Sequence, residues 1–119
     1  MNSILDTVKS VVGSSVDDDS FNTDVLIFTN MALGTLTQLG VGPSTGFSIT
    51  GSTETWVDFL GDTKLLESVK AYVCIEVRLL FDAPTNSSVL ESLKAKSQEL
   101  VVRIRDQAEE IANETVAPA

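Results

Sequence analysis

The last third of the chain repeats apolar or small residues at steps of mostly 3 and 4: Leu90, Leu93, Ser97, Leu100, Ile104, Ala108 and Ile111. That period fits the 3.6-residue turn of an α-helix and not the two-residue alternation of a strand. Ser88-Val89-Leu90-Glu91 fits a capping box at its start. Glu99 and Arg103 stand at the favourable i, i+4 spacing, worth only ~0.2–0.5 kcal/mol for an exposed pair. The stretch from Asn113 to Ala119 is expected to fray. Val101 and Val102 add apolar surface beside the seam, more than one helix facing one core uses, so a second partner surface is expected.

Three further helices are legible. The first spans about Ser3 to Val12, with Ile4, Leu5, Val8, Val11 and Val12 on one side, Asn2 or Ser3 as N-cap, and Gly13 as its stop. The second runs from about Thr23 to Leu39 and places Val25, Phe28, Ala32, Leu36 and Leu39 on one face, widened by Leu26 and Leu33. The third runs from near Asp62 to Phe81. Its segment Ala71 to Phe81 is apolar nearly all round, which alone does not separate helix from strand. Leu65, Leu66, Val69, Tyr72, Val73, Glu76 and Leu80 nevertheless continue one helical face, and the run exceeds usual strand length. An apolar surface all round predicts a central helix. Asp82 and Pro84 end it. Between the second and third helices, Gly40 to Gly61 alternates turn formers with large apolar residues: a long loop with anchors, where Phe47 and Ile49 could pair briefly as a strand and Thr53 to Leu60 could hold one or two helical turns. The expected fold is all-α, a small bundle of about four helices in a single domain over residues 1–119, which is too short for two adequate cores.

Composition narrows function by exclusion. There is no histidine, and the single Cys74 can form neither an intramolecular disulfide nor a multi-cysteine metal site. No apolar run approaches the ~18 residues that a membrane-spanning helix needs. Met1 to Asp6 lacks the pattern of a secretory signal, so the chain reads as made and kept in a reducing cytoplasm, and the acceptor pattern Asn113-Glu114-Thr115 carries no weight there. Seventeen acidic against eight basic residues give a net charge of −9, which disfavours ordinary nucleic-acid binding. The acidity is uneven: residues 1–63 carry −7 and the remainder −2.

The motifs yield no catalytic constellation. Gly40-Val41-Gly42-Pro43-Ser44-Thr45-Gly46 lacks the Gly-Lys-Ser/Thr of a phosphate loop and the strand–helix context of a dinucleotide site. Asp17, Asp18 and Asp19 lack the glycine and terminal glutamate of a calcium loop and read as solvated residues ahead of a helix N-terminus. Cys74 lies between Val73 and Ile75 and reads as buried packing. Glu76 and Arg78 interrupt the most apolar helix: Arg78 can reach Asp82 at i, i+4 while Glu76 pairs locally, or one of them meets a neighbouring subunit. Trp56 and Phe59 read as core or loop anchors, with interface contact as the competing role. No enzyme activity, metal or cofactor is expected.

Gln38-Leu39-Gly40-Val41-Gly42-Pro43, Phe47-Ser48-Ile49, Trp56-Val57-Asp58-Phe59-Leu60, Leu66 to Tyr72, Val77 to Thr85, and Ser87 to Glu91 follow one another along most of the chain. This ordered series resembles the head-tail connector, or head-completion adaptor, proteins of long-tailed bacteriophages and prophages. The resemblance implies a helical protomer that assembles as a ring of roughly a dozen copies beneath the portal protein, extends the DNA channel and receives the stopper or tail proteins. It further implies a place at the virion neck after synthesis in the bacterial host cytoplasm. On that reading Trp56, Phe59, Arg78, Val101 and Val102 are the candidate assembly residues, and Asp17, Asp18 and Asp19 a candidate acidic channel surface that double-stranded DNA passes without specific binding. The rival class is a free-standing acidic helical regulator or inhibitor that binds a basic partner, although the carboxylates cluster in a loop and at helix starts instead of along one long face.

Overall fold

The computed structural model describes residues 3–13, 19–61, 63, 65–81 and 84–115. Five helices follow one another: α1 (Ile4–Val11), α2 (Asn22–Gln38), α3 (Trp56–Leu60), α4 (Leu66–Phe81) and α5 (Ser87–Thr115). Among the described residues there is no strand, only an isolated antiparallel bridge between Ser3 and Thr55. The four expected helices are present, and α3 is the short helix foreseen inside the long loop.

Local chemistry sets the boundaries. The Ser3 hydroxyl accepts from the Asp6 N–H at 3.2 Å and caps α1. At the first residue of α2 the Asn22 side chain donates back to Asp19 at 3.1 Å. The third expected helix begins at Leu66 and not near Asp62, because Thr63 makes a turn whose carbonyl accepts from the Leu66 N–H at 3.1 Å. The capping box expected at Ser88 is not the one used. Asn86 Oδ1 accepts from the Ser88 and Val89 N–H groups at 2.9 and 3.2 Å, so the helix starts at Ser87, immediately after an efficient asparagine cap. A reciprocal box does form at α3, between the Thr55 hydroxyl and the Asp58 carboxylate.

Helix α4 is the centre of the bundle: α1, α2, α3 and α5 all pack against it. That is the position its all-round apolar surface requires, with Val69, Tyr72, Val73, Cys74 and Val77 buried. Phe21, just before α2, meets Phe81 at the end of α4 edge to face, with ring centroids 5.4 Å apart, so α2 and α4 run antiparallel. Helices α4 and α5 form an antiparallel hairpin, tied by Ser97 Oγ donating to Glu76 Oε1. Helices α2 and α5 therefore flank α4 and run the same way.

The core joins Ile4, Leu5 and Val8 of α1 to Val25, Leu33 and Leu36 of α2, the valines of α4, and Leu100 and Ile104 of α5. Each such side chain contributes roughly 1.5–3 kcal/mol by leaving water. The inward face of α2 consists of Val25, Thr29, Ala32, Leu33 and Leu36, while Leu26, Phe28 and Leu39 stand at its margins. At 29 residues, α5 is about 43 Å long at 1.5 Å per residue and outruns its partners. This draws the molecule out to 53 × 34 × 21 Å.

Candidate functional site

The long loop is fastened to the bundle by side chains that replace a strand partner. Asn30 of α2 grips the backbone of Ile49 twice: its Oδ1 accepts from the Ile49 N–H at 2.7 Å and its Nδ2 donates to the Ile49 carbonyl at 3.1 Å. The pairing expected of Phe47 and Ile49 is thus supplied by an amide side chain, and Ile49 is buried. Glu54 accepts from the Thr50 hydroxyl and N–H at 2.8 and 3.0 Å. Burial pushes its carboxyl up, but these hydrogen bonds outweigh that and hold it below the ordinary 4.5. Where the loop enters α3, the Ile4 N–H donates to the Glu54 carbonyl at 3.1 Å.

Trp56 and Phe59 are 1% and 2% exposed, so both are spent inside the protomer. Trp56 Nε1 donates to Thr7 Oγ1 at 3.1 Å, and Phe59 packs on Phe47 with centroids 5.1 Å apart. Gly42, at φ +82°, lies so close to the Phe59 ring that an added Cβ would fall on Cε1 and 3.0 Å from Cδ1. Within the protomer both aromatics are core anchors: the first turn of α3 turns Trp56 and Phe59 inward and leaves Val57, 55% exposed, on its outer side.

The remaining sequence candidates are dispersed. Arg78 is half-buried on α4, and its expected partner Asp82 lies outside the described residues. Val101 is half-buried against the core, and Val102, 48% exposed, points away from it. Of the three aspartates, Asp17 and Asp18 lie outside the described residues and Asp19 is exposed beside the start of α2. Cys74 is a buried free thiol, and burial pushes its pKa from 9.0 to about 11, the opposite of nucleophile activation. Sequence reasoning missed Lys9, whose side chain is 1% exposed and whose Nζ donates to Asn22 Oδ1 at 2.7 Å. Its position among Ile4, Leu5 and Val8 on an apolar helix was the available signal.

No group of three or more His, Cys, Asp or Glu among the described residues is placed to hold a metal, and no described helix is long and apolar enough to cross a membrane. Of the surface depressions, one runs along α5 beside Val102 and Arg103, and another lies where Val41 and Leu65 meet Ala108 and Ile111. Neither joins a nucleophile to a base. What the surface offers instead is apolar area. Ile27 and Met31 project from the outer side of α2 at 52% and 55% exposure, and Phe21, Leu80 and Val89 lie near the ends of α2, α4 and α5. The chain belongs to the phage connector protein family, whose model matches residues 4–111. No curated protein and no solved structure matches it. Membership makes it a structural connector of a bacteriophage, interacting with other head and tail proteins at the virion neck.

Proposed function

We propose that this protein is the head-tail adaptor of a tailed phage: roughly a dozen copies form a ring beneath the portal, extend the DNA channel and present a platform to the stopper or tail proteins. It is made in the host cytoplasm and catalyses no reaction. The family match over residues 4–111 carries this reading, and the exposed apolar side chains outside the core support it. Arg78, Val101 and Val102 serve the assembly directly. Trp56 and Phe59 serve it by holding α3 and the long loop in shape. The acidic N-terminal part, including Asp17, Asp18 and Asp19, faces the channel, where like charge repels the DNA phosphates and lets the duplex slide.

Electron cryomicroscopy of portals incubated with the purified chain tests the proposal. A ring of this protein seated under the portal is the expected result. Absence of bound density, together with salt-sensitive binding to an unrelated basic protein, would replace the connector by the regulator. A basic channel wall in the ring would refute the acidic-lumen part alone.

A further inference from the structure

The outer side of α2 carries a second seam that the protomer does not use. Asp24, Ile27, Met31, Gly34 and Gln38 are all exposed and succeed one another at steps of 3, 4, 3 and 4. Such spacing marks a stripe that packs against another helix. Its centre is apolar. Among the described residues, no atom outside the local helix backbone lies within 4 Å of where a Cβ at Gly34 would stand, so none of their packing accounts for a residue that costs a helix interior ~1 kcal/mol relative to alanine. The outer side of α5 repeats the pattern: Ala95, Gln98, Val102, Arg105 and Glu109 are all exposed and follow the same steps of 3, 4, 3 and 4.

Three observations choose the occupant. Helices α2 and α5 both pack on α4, and each seam lies on the exposed side of its helix, so one copy offers two different surfaces, as head-to-tail contacts require. Both helices run antiparallel to α4 and therefore parallel to each other. Rotation between neighbours in a ring of roughly a dozen copies is only about 30°, so α5 of one copy meets α2 of the next still nearly parallel. Finally, charge favours this pairing: the only ionic residue of α2 is Asp24, whereas Ala95 of α5 stands between exposed Lys94 and Lys96, which also reach Glu91 and Glu99 of their own helix at 4.0 and 3.5 Å and can exchange those exposed partners for Asp24.

We infer that the ring closes through these seams, with the outer face of α2 in one copy packed in parallel register against the outer face of α5 in the next, Met31 opposite Val102. In that register Asp24 falls between Lys94 and Lys96, and Gly34 leaves room for the Arg105 side chain to lie across the α2 backbone. The inference rests on the ring proposed above and adds to it the two faces, their direction and their register.

Disulfide trapping tests it in a Cys74→Ala background, which leaves no native thiol. The protein carrying both Met31→Cys and Val102→Cys, oxidised at high concentration, is expected to give a ladder of head-to-tail oligomers, because both positions are exposed on the sides of α2 and α5 that the protomer leaves unpacked. The control pair Met31→Cys with Ala95→Cys, two turns out of register, is expected to give at least ~10-fold less. Adding Asp24→Lys to the reactive pair should cut ladder yield about tenfold, and Lys94→Glu with Lys96→Glu should restore it. Trapping also captures transient contacts, so a chain that forms stable rings only on its portal is still scored. Absence of the ladder, equal ladders from both pairs, or only symmetric dimers overturns the inference. If rings are nevertheless seen by native mass spectrometry or under the portal, the connector reading stands and only the assignment of faces falls.

Discussion

Replacing Gly42 by alanine isolates the contact that shapes the long loop. Gly40 and Gly42 both adopt left-handed backbone angles, φ +86° and +82°, but only Gly42 has a neighbour: its new Cβ would run into the Phe59 ring, whereas nothing lies within 4 Å at Gly40. A non-glycine residue in this region costs roughly 1–2 kcal/mol through its backbone alone. Gly40→Ala should therefore lose about that amount. Gly42→Ala pays the same and must also displace a ring that is 2% exposed and held against Phe47. Overpacking of this kind adds ~1–3 kcal/mol, for a total of about 2–5 kcal/mol. In a chain of 119 residues each kcal/mol corresponds to roughly 4 °C in Tm. The single buried Trp56, three residues from Phe59, is the natural fluorescence probe, and urea titrations with circular dichroism give the free energies. The double variant Gly42→Ala with Phe59→Leu should recover part of the loss relative to the sum of the singles, since the ring edge is gone. Equal losses at Gly40 and Gly42, within ~0.5 kcal/mol, would refute the contact.

Three other perturbations probe the remaining parts. Asn30→Ala removes both hydrogen bonds to the Ile49 backbone and should cost ~1–3 kcal/mol, with faster proteolysis between Val41 and Thr55 while helix content is kept; an unchanged cleavage rate would mean that the loop is held by its apolar anchors alone. Because the Cys74 thiol is raised from 9.0 to about 11, its contribution is full below pH 9 and fades as pH rises to 11, where the unfolded chain ionises first; this amounts to roughly 2–3 kcal/mol. Tyr72, raised by burial and then by the charge of Glu76, adds to the loss above pH 10, so Cys74→Ala should flatten the fall between pH 9 and 11 without abolishing it, and an unaltered slope in denaturation series would contradict the assignment. Arg78→Ala should lower ring occupancy by native mass spectrometry more than it lowers the denaturation midpoint; equal loss of both would make Arg78 a purely structural residue.

The periodicity of apolar residues was enough to place α1, α2, α4 and α5 and to put α4 at the centre, because burial on every side leaves a helix no other place. The segments Gln38 to Pro43, Trp56 to Leu60 and Val77 to Thr85 were enough for the family. Sequence did not decide which Ser/Thr-x-x-acid pattern would cap a helix: Thr55 and Asp58 form the box, while Ser88 yields to Asn86, since a cap depends on where the preceding chain is held. Nor did it decide whether Trp56 and Phe59 face inward. Large aromatics serve cores and interfaces equally well, and only the docking of Trp56 on Thr7, 49 residues away, settles the matter. The second seams on α2 and α5 are written in the spacing, yet they become visible as outer faces only once α4 has claimed the opposite sides. Local chemistry fixes which residues can share a face of a helix, whereas the choice of which face meets solvent is made by long-range packing, a property of the whole chain.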